Sequence, residues 1–278
     1  MNHALSTHLF VNHRLTVALL DRIMRAGIPE VEIFCARQHL DYRDKAQITE
    51  LAHWFRETEL KVHALHAPMY TDEIWGRSGP QSVINITEPV KGRRIGMVDE
   101  IKRALEIAET VPFRYLVQHV GVAEEEWSEH KVDAAFTALE EIVVFARQRG
   151  VEVLLENIPN ALASAERLLQ FEEMTHMRLN YVFDVGHANM AEGGVAAAFD
   201  LMKNRIRSTH IHDNNGQDDK HLFPLVGEGG TVDWKKTMAL LKSREGQYPL
   251  VLELREAPQF SHPLEQVKEV FDRLENLA

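Results

Sequence analysis

Short apolar runs alternate with longer stretches of helical period along almost the whole chain, and this alternation restricts the possible folds more than any other feature. The first apolar run covers residues 5–11. It is followed at 15–27 by a stretch in which Leu20 and Ile23 lie on one helical face and Gly27 terminates the helix. Strands that alternate with helices in this way are typical of βα units and a parallel sheet.

The same pattern continues to the end of the chain. Further predicted strands cover 31–34, 62–66, 115–120, 151–156, 180–184, 206–211 and 250–254, and further predicted helices cover 48–60, 97–110, 132–149, 164–174, 195–203, 233–243 and 263–276. Eight such units without a break in composition predict an α/β fold, a single (β/α)8 TIM barrel that forms one domain over residues 1–278. The alternative, a doubly wound sheet, normally has a glycine-rich phosphate turn after its first strand, and this sequence has none there.

One connection, residues 67–96, is much longer than the others and is rich in Gly, Pro and Ser. A loop of this length inside a compact domain is usually functional or disordered, so we expect a lid over a binding site. Trp75 lies in it and could close over a sugar ring, or alternatively pack against the barrel rim. Arg93 and Arg94 could receive a phosphate, although adjacent arginines are more often a solvated face.

Charge and cysteine content narrow the classes of function. The chain has 31 basic and 42 acidic residues, a net charge of −11, which disfavours a general nucleic-acid-binding protein. Cys35 is its only cysteine, so we expect no disulfides and a cytoplasmic location. We recognise neither a signal peptide nor a run of the ~18 apolar residues that a membrane span needs.

Potential metal ligands stand at the C-terminal ends of the predicted strands, where the active site of such a barrel forms. These residues are Glu32, His66, His119, Glu156, Asp184 with His187 just beyond it, His210 and Glu253. Any single one could be a solvated strand end or a hydrogen-bonded histidine. Together, several carboxylates pointing into one cavity would repel each other unless a cation or shared protons neutralised them. A mixed carboxylate and imidazole set suits Mn, Zn, Co or Fe better than Ca or Mg, so we predict a metal site.

The stretch 206–234 combines a strand, a polar loop and a glycine-rich turn before the next helix. Its loop contains His212, Asp213, Asp218, Asp219 and His221 in addition to the strand-end His210. Imidazoles and carboxylates at a strand end, followed by a loop that returns more of them, form a plausible cradle for a divalent metal. A solvated polar loop is the alternative interpretation.

These residues, in this order, resemble the xylose isomerase-like TIM barrels, a superfamily of sugar isomerases and epimerases that also contains endonuclease IV. The resemblance covers nearly the whole chain. Its most specific parts are LLENIP at 154–159, FDVGHANM at 183–190, HIHDN at 210–214, GEGGTVDW at 227–234 and LVLEL at 250–254. By resemblance to the sugar epimerases, Glu156, Asp184, His210 and Glu253 would hold one Mn-like ion, and His187 would contact the substrate.

Endonuclease IV has further ligands for a three-zinc cluster, and the resemblance matches them to His66, His119, His187, Asp219 and His221. The segments NIPNALASA and VGHANMAEGG nevertheless depart from the signatures of that enzyme. Ketose 3-epimerases have a second Glu six residues after the first, and Leu162 stands there in this chain. The pattern HIHDN…DxH…GEG resembles most closely the sugar phosphate isomerase/epimerase group.

The leading hypothesis is a metal-dependent isomerase or epimerase that acts on a sugar, sugar phosphate or polyol by proton transfer next to a metal-bound carbonyl. Glu156 and Glu253 would transfer the proton, and His187, His66, His119 and Trp75 would contact the substrate. We expect one Mn, Zn or Co ion per chain, or up to three in a multinuclear centre, and a homo-oligomer stays open. The alternatives are an endonuclease IV-like phosphodiester hydrolase and a barrel that binds sugar or metal without turnover.

Overall fold

The computed structural model describes residues 1–277, and its centre is one sheet of eight parallel strands. The strands are β1 (His3–Ser6), β2 (Glu30–Phe34), β3 (Lys61–His66), β4 (Phe113–Gln118), β5 (Glu152–Glu156), β6 (Asn180–Asp184), β7 (Ile206–His210) and β8 (Leu250–Leu252). Each strand from β2 to β6 pairs with both of its sequence neighbours, β7 pairs with β6, and β1 pairs with both β2 and β8. Backbone hydrogen bonds from Ile211 N to Val251 O and from Glu253 N to Ile211 O join β7 to β8, so the sheet curves into a barrel.

Helices connect the strands and form the outer layer. They are α1 (Val17–Arg25), α2 (Lys45–Glu57), α3 (Lys91–Leu105), α4 (Glu129–Arg147), α5 (Ala165–Thr175), α6 (Val185–Met190), α7 (Gly194–Met202), α8 (Trp234–Lys242) and α9 (Pro263–Glu275). The side chains of Thr16, Asp44, Ser128 and Ser164 accept hydrogen bonds from backbone N–H groups at the starts of α1, α2, α4 and α5. The fold is a single (β/α)8 TIM barrel, which confirms the prediction from the sequence.

The hydrophobic core has two parts, as the alternation of side chains along a strand requires. A small cluster of Ala64, Tyr115, Val117, Leu154 and Val182 fills the inside of the barrel. A much larger core lies between strands and helices. Because side chains two apart share a face, the inward Leu154 and Val182 place Glu156 and Asp184 on the inner face, at the C-terminal mouth.

Three local features differ from the predicted pattern. β1 ends at Ser6, and Thr7–Phe10 forms a 3-10 helix in place of the predicted continuation of the strand. α3 begins at Lys91, so the long connection ends at residue 90. The short helix α6 directly after β6 was not predicted; the Asp184 carboxylate caps it by accepting the backbone N–H of His187 at 2.6 Å.

Among residues 1–277, no helix combines the length and the apolar character that are needed to cross a membrane.

Candidate metal centre

Four buried side chains from consecutive strands meet at the centre of the barrel mouth. Glu156, Asp184 and His210 end β5, β6 and β7, and Glu253 directly follows β8. Each offers one donor atom, and the four atoms lie within 4.8 Å of one another. We call these four residues the central group. The structure therefore brings together all four residues that the sequence predicted as ligands of one ion.

The orientation of His210 defines how the central group is organised. Its Nε2 lies 3.1 Å from Glu32 Oε2, and its Nδ1 lies 3.1 Å from Glu156 Oε1 and 3.2 Å from Glu253 Oε2. Carboxylates only accept hydrogen bonds, so without a cation both ring nitrogens of His210 carry protons, one directed to Glu32 and the other to Glu156 and Glu253. A cation bound at Nδ1 would replace the second proton and leave the Nε2–H contact with Glu32 behind the ring, as in metal-binding histidines that have a carboxylate partner.

Mutual attraction keeps these buried groups charged. Burial by itself raises the pKa of Glu156, but the adjacent His210 and His119 outweigh that effect and hold this pKa well below its usual range. Burial by itself lowers the pKa of His210, and the carboxylates of Glu253, Glu32 and Glu156 raise it well above its ordinary value. The histidines therefore supply the positive charge that a cation would supply, and the site is electrostatically suited to one.

A second group lies on the β3–β4 side and shares Glu156 with the central group. The Nε2 atom of His119 is 2.9 Å from Glu156 Oε2, and that of His66 is 3.2 Å from His119 Nε2 and 3.6 Å from Glu156 Oε2. Three possible ligands thus converge on one point next to the central group.

A third group lies on the β6–β7 side and consists of His187, His212, Asp219 and His221. Asp219 Oδ2 is 3.0 Å from His221 Nε2 and 3.5 Å from His187 Nε2. Burial would raise the pKa of Asp219, but hydrogen bonds from His187 and His221 lower it strongly. Asp219 Oδ1 is buried without a hydrogen-bond partner, so this carboxylate retains an acceptor for a cation or a substrate donor.

Four imidazoles around the mouth are oriented in the same way. The Nδ1 atoms of His66, His187, His221 and His8 lie 2.9–3.0 Å from the backbone carbonyls of Ala67, Asn157, Glu253 and Leu254. A carbonyl cannot donate, so Nδ1 carries the proton in each ring and the Nε2 lone pair is left free in the neutral form. Backbone contacts therefore prepare these side chains to bind a metal or to accept a hydrogen bond.

The sequence did not single out His8, and it named His212 only as part of a polar loop that could form a cradle for a divalent metal. His8 is buried in the 3-10 helix after β1, close to His221 and Glu253; extending the predicted first strand through residue 11 hid its position at a strand end. His212 Nε2 donates a hydrogen bond to Asp184 Oδ2 at 3.0 Å. A Cβ atom on Gly186 would lie 2.0 Å from the His212 ring, so glycine is required there.

Aromatic rings form one wall beside the second group. Phe34 stacks on His66 with 4.4 Å between ring centroids, and Trp75 stacks on Phe34 at 5.1 Å. Trp75 is therefore packed on the inner wall of the mouth and is held there by a hydrogen bond from its backbone N–H to Gln38 Oε1. Arg93 is exposed and Arg94 donates to the carbonyl of Glu88; within residues 1–277 neither contacts the three groups by a hydrogen bond or ion pair.

The loop that follows β7 is held by Asp213. Its carboxylate accepts hydrogen bonds from Trp234 Nε1 at 2.6 Å and from the backbone N–H groups of Thr231 and Val232 at 2.9 and 3.1 Å. A Cβ atom on Gly230 would lie 2.3 Å from Asp213 Oδ2, which explains the glycine in the GEGGTVDW segment. Asp213 thus has a structural position, while the exposed Asp218 accepts a hydrogen bond from Asn215 Nδ2 at 3.0 Å and lies 3.5 Å from Lys220 Nζ.

Fold and site together define a (β/α)8 barrel with a buried histidine–carboxylate centre at its C-terminal mouth. The chain belongs to the xylose isomerase-like TIM barrel family, whose profile matches residues 20–277. It is 31% identical over 241 residues to the uncharacterized protein MJ1311 of Methanocaldococcus jannaschii, covering 82% of this chain and 75% of that protein.

Solved structures agree with this assignment. A D-tagatose 3-epimerase-like protein superposes with a TM-score of 0.77 at 25% identity, over 99% of this chain and 97% of that one. The IolI protein, whose crystal structure holds a zinc atom, superposes with a TM-score of 0.78 at 17% identity, over 99% and 98% of the two chains. At 17% identity, the similarity to the IolI protein concerns the fold alone.

Proposed function

We propose that this protein is a divalent-metal-dependent isomerase or epimerase of a sugar or a related polyol. The observation that carries the proposal is the geometry of the central group. Carboxylate oxygens of Glu156 and Glu253, which end β5 and follow β8, lie 3.1 and 3.2 Å from the same atom, His210 Nδ1. Two carboxylates that approach one point from β5 and β8 can serve two faces of one substrate carbon. The likeness to a D-tagatose 3-epimerase-like protein supports this choice of reaction.

The donor set fits a divalent cation. Three carboxylates and one imidazole within 4.8 Å of each other form the mixed O/N environment that Mn, Zn and Co accept. Glu32 accepts a hydrogen bond from His210 Nε2 and so orients the ring for a ligand at Nδ1. The other carboxylate oxygen of Glu32, Oε1, is buried without a hydrogen-bond partner. A cation held by Glu156, Asp184, His210 and Glu253 would act as a Lewis acid on a substrate carbonyl and make the neighbouring C–H more acidic.

Different side chains transfer the proton, bind the substrate and exclude water. One of Glu156 and Glu253 removes a proton from the carbon next to the carbonyl, and the other returns a proton from the opposite side. His187, His66 and His119 hold substrate hydroxyls, since their Nε2 atoms face the mouth. Trp75 and Phe34 cover an apolar face of the sugar, and the connection 67–90 acts as a lid that excludes water.

The test is solvent hydrogen exchange. Metal-loaded protein is incubated in D2O with a panel of ketoses, aldoses and inososes, and deuterium at the carbon next to the carbonyl is followed by NMR. We expect exchange with at least one sugar, and a loss of 10²-fold or more in Glu156→Gln and Glu253→Gln. Glu152→Gln, at the opposite end of β5, is the matched control and should retain activity. No exchange across the panel, with metal bound, would reject the proposal.

The second and third groups favour one further candidate, metal-assisted hydrolysis of a phosphodiester. Residues 1–277 contain four overlapping ligand groups, of which two share Glu156 and two share Glu253, and such clustering suits a multinuclear hydrolytic centre. Metal content per chain separates the two candidates. About one ion, lost in Glu156→Gln, supports the epimerase. About three zinc ions, reduced by His119→Ala or Asp219→Ala, together with salt-sensitive cleavage of abasic DNA, would support the hydrolase.

A further inference from the structure

The long connection after β3 is folded as a hairpin over the barrel mouth. Backbone hydrogen bonds from Thr71 N to Ser82 O and from Ile84 N to Met69 O, each 2.8 Å long, join its two arms. Met69 and Ile84 also line the cavity that opens beside His119, so the arms form part of the wall of the mouth. The position of this hairpin therefore decides how closely the mouth is covered on its β3–β4 side.

Asn85 directly follows the hairpin, and its amide has a defined orientation. One end of the amide meets the backbone N–H of Thr87 at 2.9 Å and the Thr87 hydroxyl at 2.7 Å. A backbone N–H can only donate, so this end is the oxygen Oδ1 and the other end is Nδ2. That Nδ2 donates to Glu125 Oε2 at 2.7 Å, in the loop that follows β4. The end of the hairpin is thus joined to the neighbouring connection.

The side chain of Glu125 is only 8% exposed, and both of its oxygens are bonded. Oε1 lies 2.6 Å from Lys131 Nζ, near the start of α4, and Oε2 accepts the Val122 N–H at 3.3 Å in addition to the amide of Asn85. Burial by itself raises the pKa of Glu125, but the hydrogen bonds from Lys131 and Asn85 lower it below its ordinary value. The bond from Asn85 is therefore charge-assisted, which makes it stronger than a bond between neutral groups.

The backbone around Glu125 also holds the loop after β5. The Glu125 carbonyl accepts the Ala161 N–H at 3.0 Å, and Asn160 Nδ2 donates to Val122 O at 2.9 Å. A Cβ atom on Gly121, whose φ is +88°, would lie 2.9 Å from Glu125 Cγ. This close approach leaves no space for a side chain at position 121. Three connections of the mouth therefore meet at Glu125.

We propose that Glu125 is a positioning residue of the proposed reaction, which holds the hairpin and the loop after β4 together as one unit and so keeps the mouth covered. These two connections begin next to His66 and His119, the histidines of the second group. Within residues 1–277, no hydrogen bond or ion pair joins Glu125 to either histidine, so it acts through the segments that follow them. The inference rests on the proposed function for its effect on substrate binding, whereas the contact between Asn85 and Glu125 belongs to the folded chain alone.

The first test uses Asn85→Asp. This change keeps the oxygen that Thr87 contacts and replaces the donor by a second oxygen, which repels the carboxylate of Glu125. Without this hydrogen bond to a charged group, hydrogen–deuterium exchange of residues 82–88, followed by mass spectrometry, should be at least about tenfold faster, while β3, β4 and β5 exchange as in the wild type. Unchanged exchange in 82–88 would overturn the proposal. Faster exchange throughout the strands would show a merely structural role and would overturn it as well.

The second test restores the contact with donor and acceptor exchanged. In the double variant Asn85→Asp, Glu125→Gln, the amide introduced at position 125 donates to the carboxylate introduced at position 85. Exchange of residues 82–88 should return to within about twofold of the wild type, because one hydrogen bond couples the two changes. Glu126→Gln is the matched control and should exchange as wild type, since this exposed carboxylate has no hydrogen bond or ion pair within residues 1–277. A double variant that exchanges as fast as Asn85→Asp would reject the direct contact.

Kinetics separate this inference from the proposed function. With a sugar whose C–H exchanges in metal-loaded wild-type protein, Asn85→Asp should raise KM about tenfold and leave kcat within about threefold, because Glu156 and Glu253 are unchanged. The double variant should restore KM. If no sugar exchanges but residues 82–88 respond as expected, the role of Glu125 in holding the hairpin stands and the epimerase is rejected. If wild-type protein exchanges sugars and Asn85→Asp has an unaltered KM, the positioning role is rejected and the epimerase stands.

Discussion

His210 shows how a residue in this centre is prepared by its neighbours. Its side chain is fully buried, and four carboxylates lie around one ring, those of Glu32, Glu156, Asp184 and Glu253. Glu32 faces the Nε2 side, whereas the proposed acid–base pair faces Nδ1. The two sides of one imidazole therefore separate a positioning contact from the ligand contacts.

We predict that Glu32→Gln weakens metal binding. The neutral amide removes the charge behind the His210 ring, and loss of such a partner typically lowers metal affinity or activity by about 10–100-fold. Titration calorimetry with Mn²⁺ or Zn²⁺ measures the change. Glu30→Gln, on the same strand but paired with His63, is the control and should bind as wild type. Unchanged affinity in Glu32→Gln would show that His210 does not need its carboxylate partner.

At the scale of elements, connections that approach the mouth supply most of the polar contacts. The 3-10 helix after β1 places His8, the loop after β7 places Asp219 and His221, and α6 places His187. Side-chain hydrogen bonds hold these connections. Asp184 accepts the backbone N–H of His187 at the start of α6, and Asp213 accepts the indole N–H of Trp234. Rigid connections of this kind keep reactive groups in position without a bound ligand.

The connection between β2 and α2 contains a buried histidine that makes stability depend on pH. Burial lowers the pKa of His39 to about 4, and its Nε2 is buried without a partner. The unfolded chain binds this proton near pH 6.5, and the folded protein does not. His39 therefore does not reduce the free energy of unfolding above pH 6.5. That free energy falls as the pH decreases from 6.5 towards 4, because only the unfolded chain takes up the proton.

We predict that the free energy of unfolding of the wild-type protein falls by roughly 2–3 kcal/mol more than that of His39→Gln between pH 7 and pH 4.5. Urea denaturation at the two pH values measures this difference. His53→Gln, at an exposed position on α2, should behave as wild type. If wild type and His39→Gln lost stability equally, protonation of His39 would not contribute.

For the whole molecule, closure of the barrel and assembly of the centre are one event. Contacts from Ile211 to Val251 and Glu253 complete the ring of strands, and Glu253 is itself a member of the central group. Ligands from β5, β6, β7 and β8 reach one point only when the sheet has closed. Binding of a cation there is therefore linked to the folding equilibrium of the complete barrel.

We predict that a divalent cation at 100 times its Kd stabilises the fold by about 2.7 kcal/mol. At roughly 2–4 °C per kcal/mol for a chain of this size class, Tm should rise by about 5–10 °C. Differential scanning fluorimetry of chelator-treated protein, with and without Mn²⁺ or Zn²⁺, measures the shift. The double variant Glu156→Gln, Asp184→Asn should show none. An equal rise in that variant would place the binding ion elsewhere.

The sequence by itself determined the barrel and most of the centre's residues. The alternation of apolar runs with helical stretches defines eight βα units, and parallel strands present their C-terminal ends at one mouth. Positions such as Glu156, Asp184 and His210 could therefore be assigned to that mouth because each ends a recognisable strand. Whether they bind a metal, and the roles of His66, His119, His187 and Trp75, stay predictions.

Only the tertiary structure decided what each of these side chains contacts. The apolar run at 5–11 predicted a strand, but β1 ends at Ser6 and a 3-10 helix follows. An apolar pattern alone does not distinguish these two backbone conformations, and tertiary contacts decide between them. His8 meets the carbonyl of Leu254, 246 positions away, and His210 meets Glu32, 178 positions away. The tautomers of the histidines and unpartnered buried atoms such as Asp219 Oδ1 arise from contacts between distant segments. A local pattern contains no information about such contacts, because they exist only once the barrel has closed.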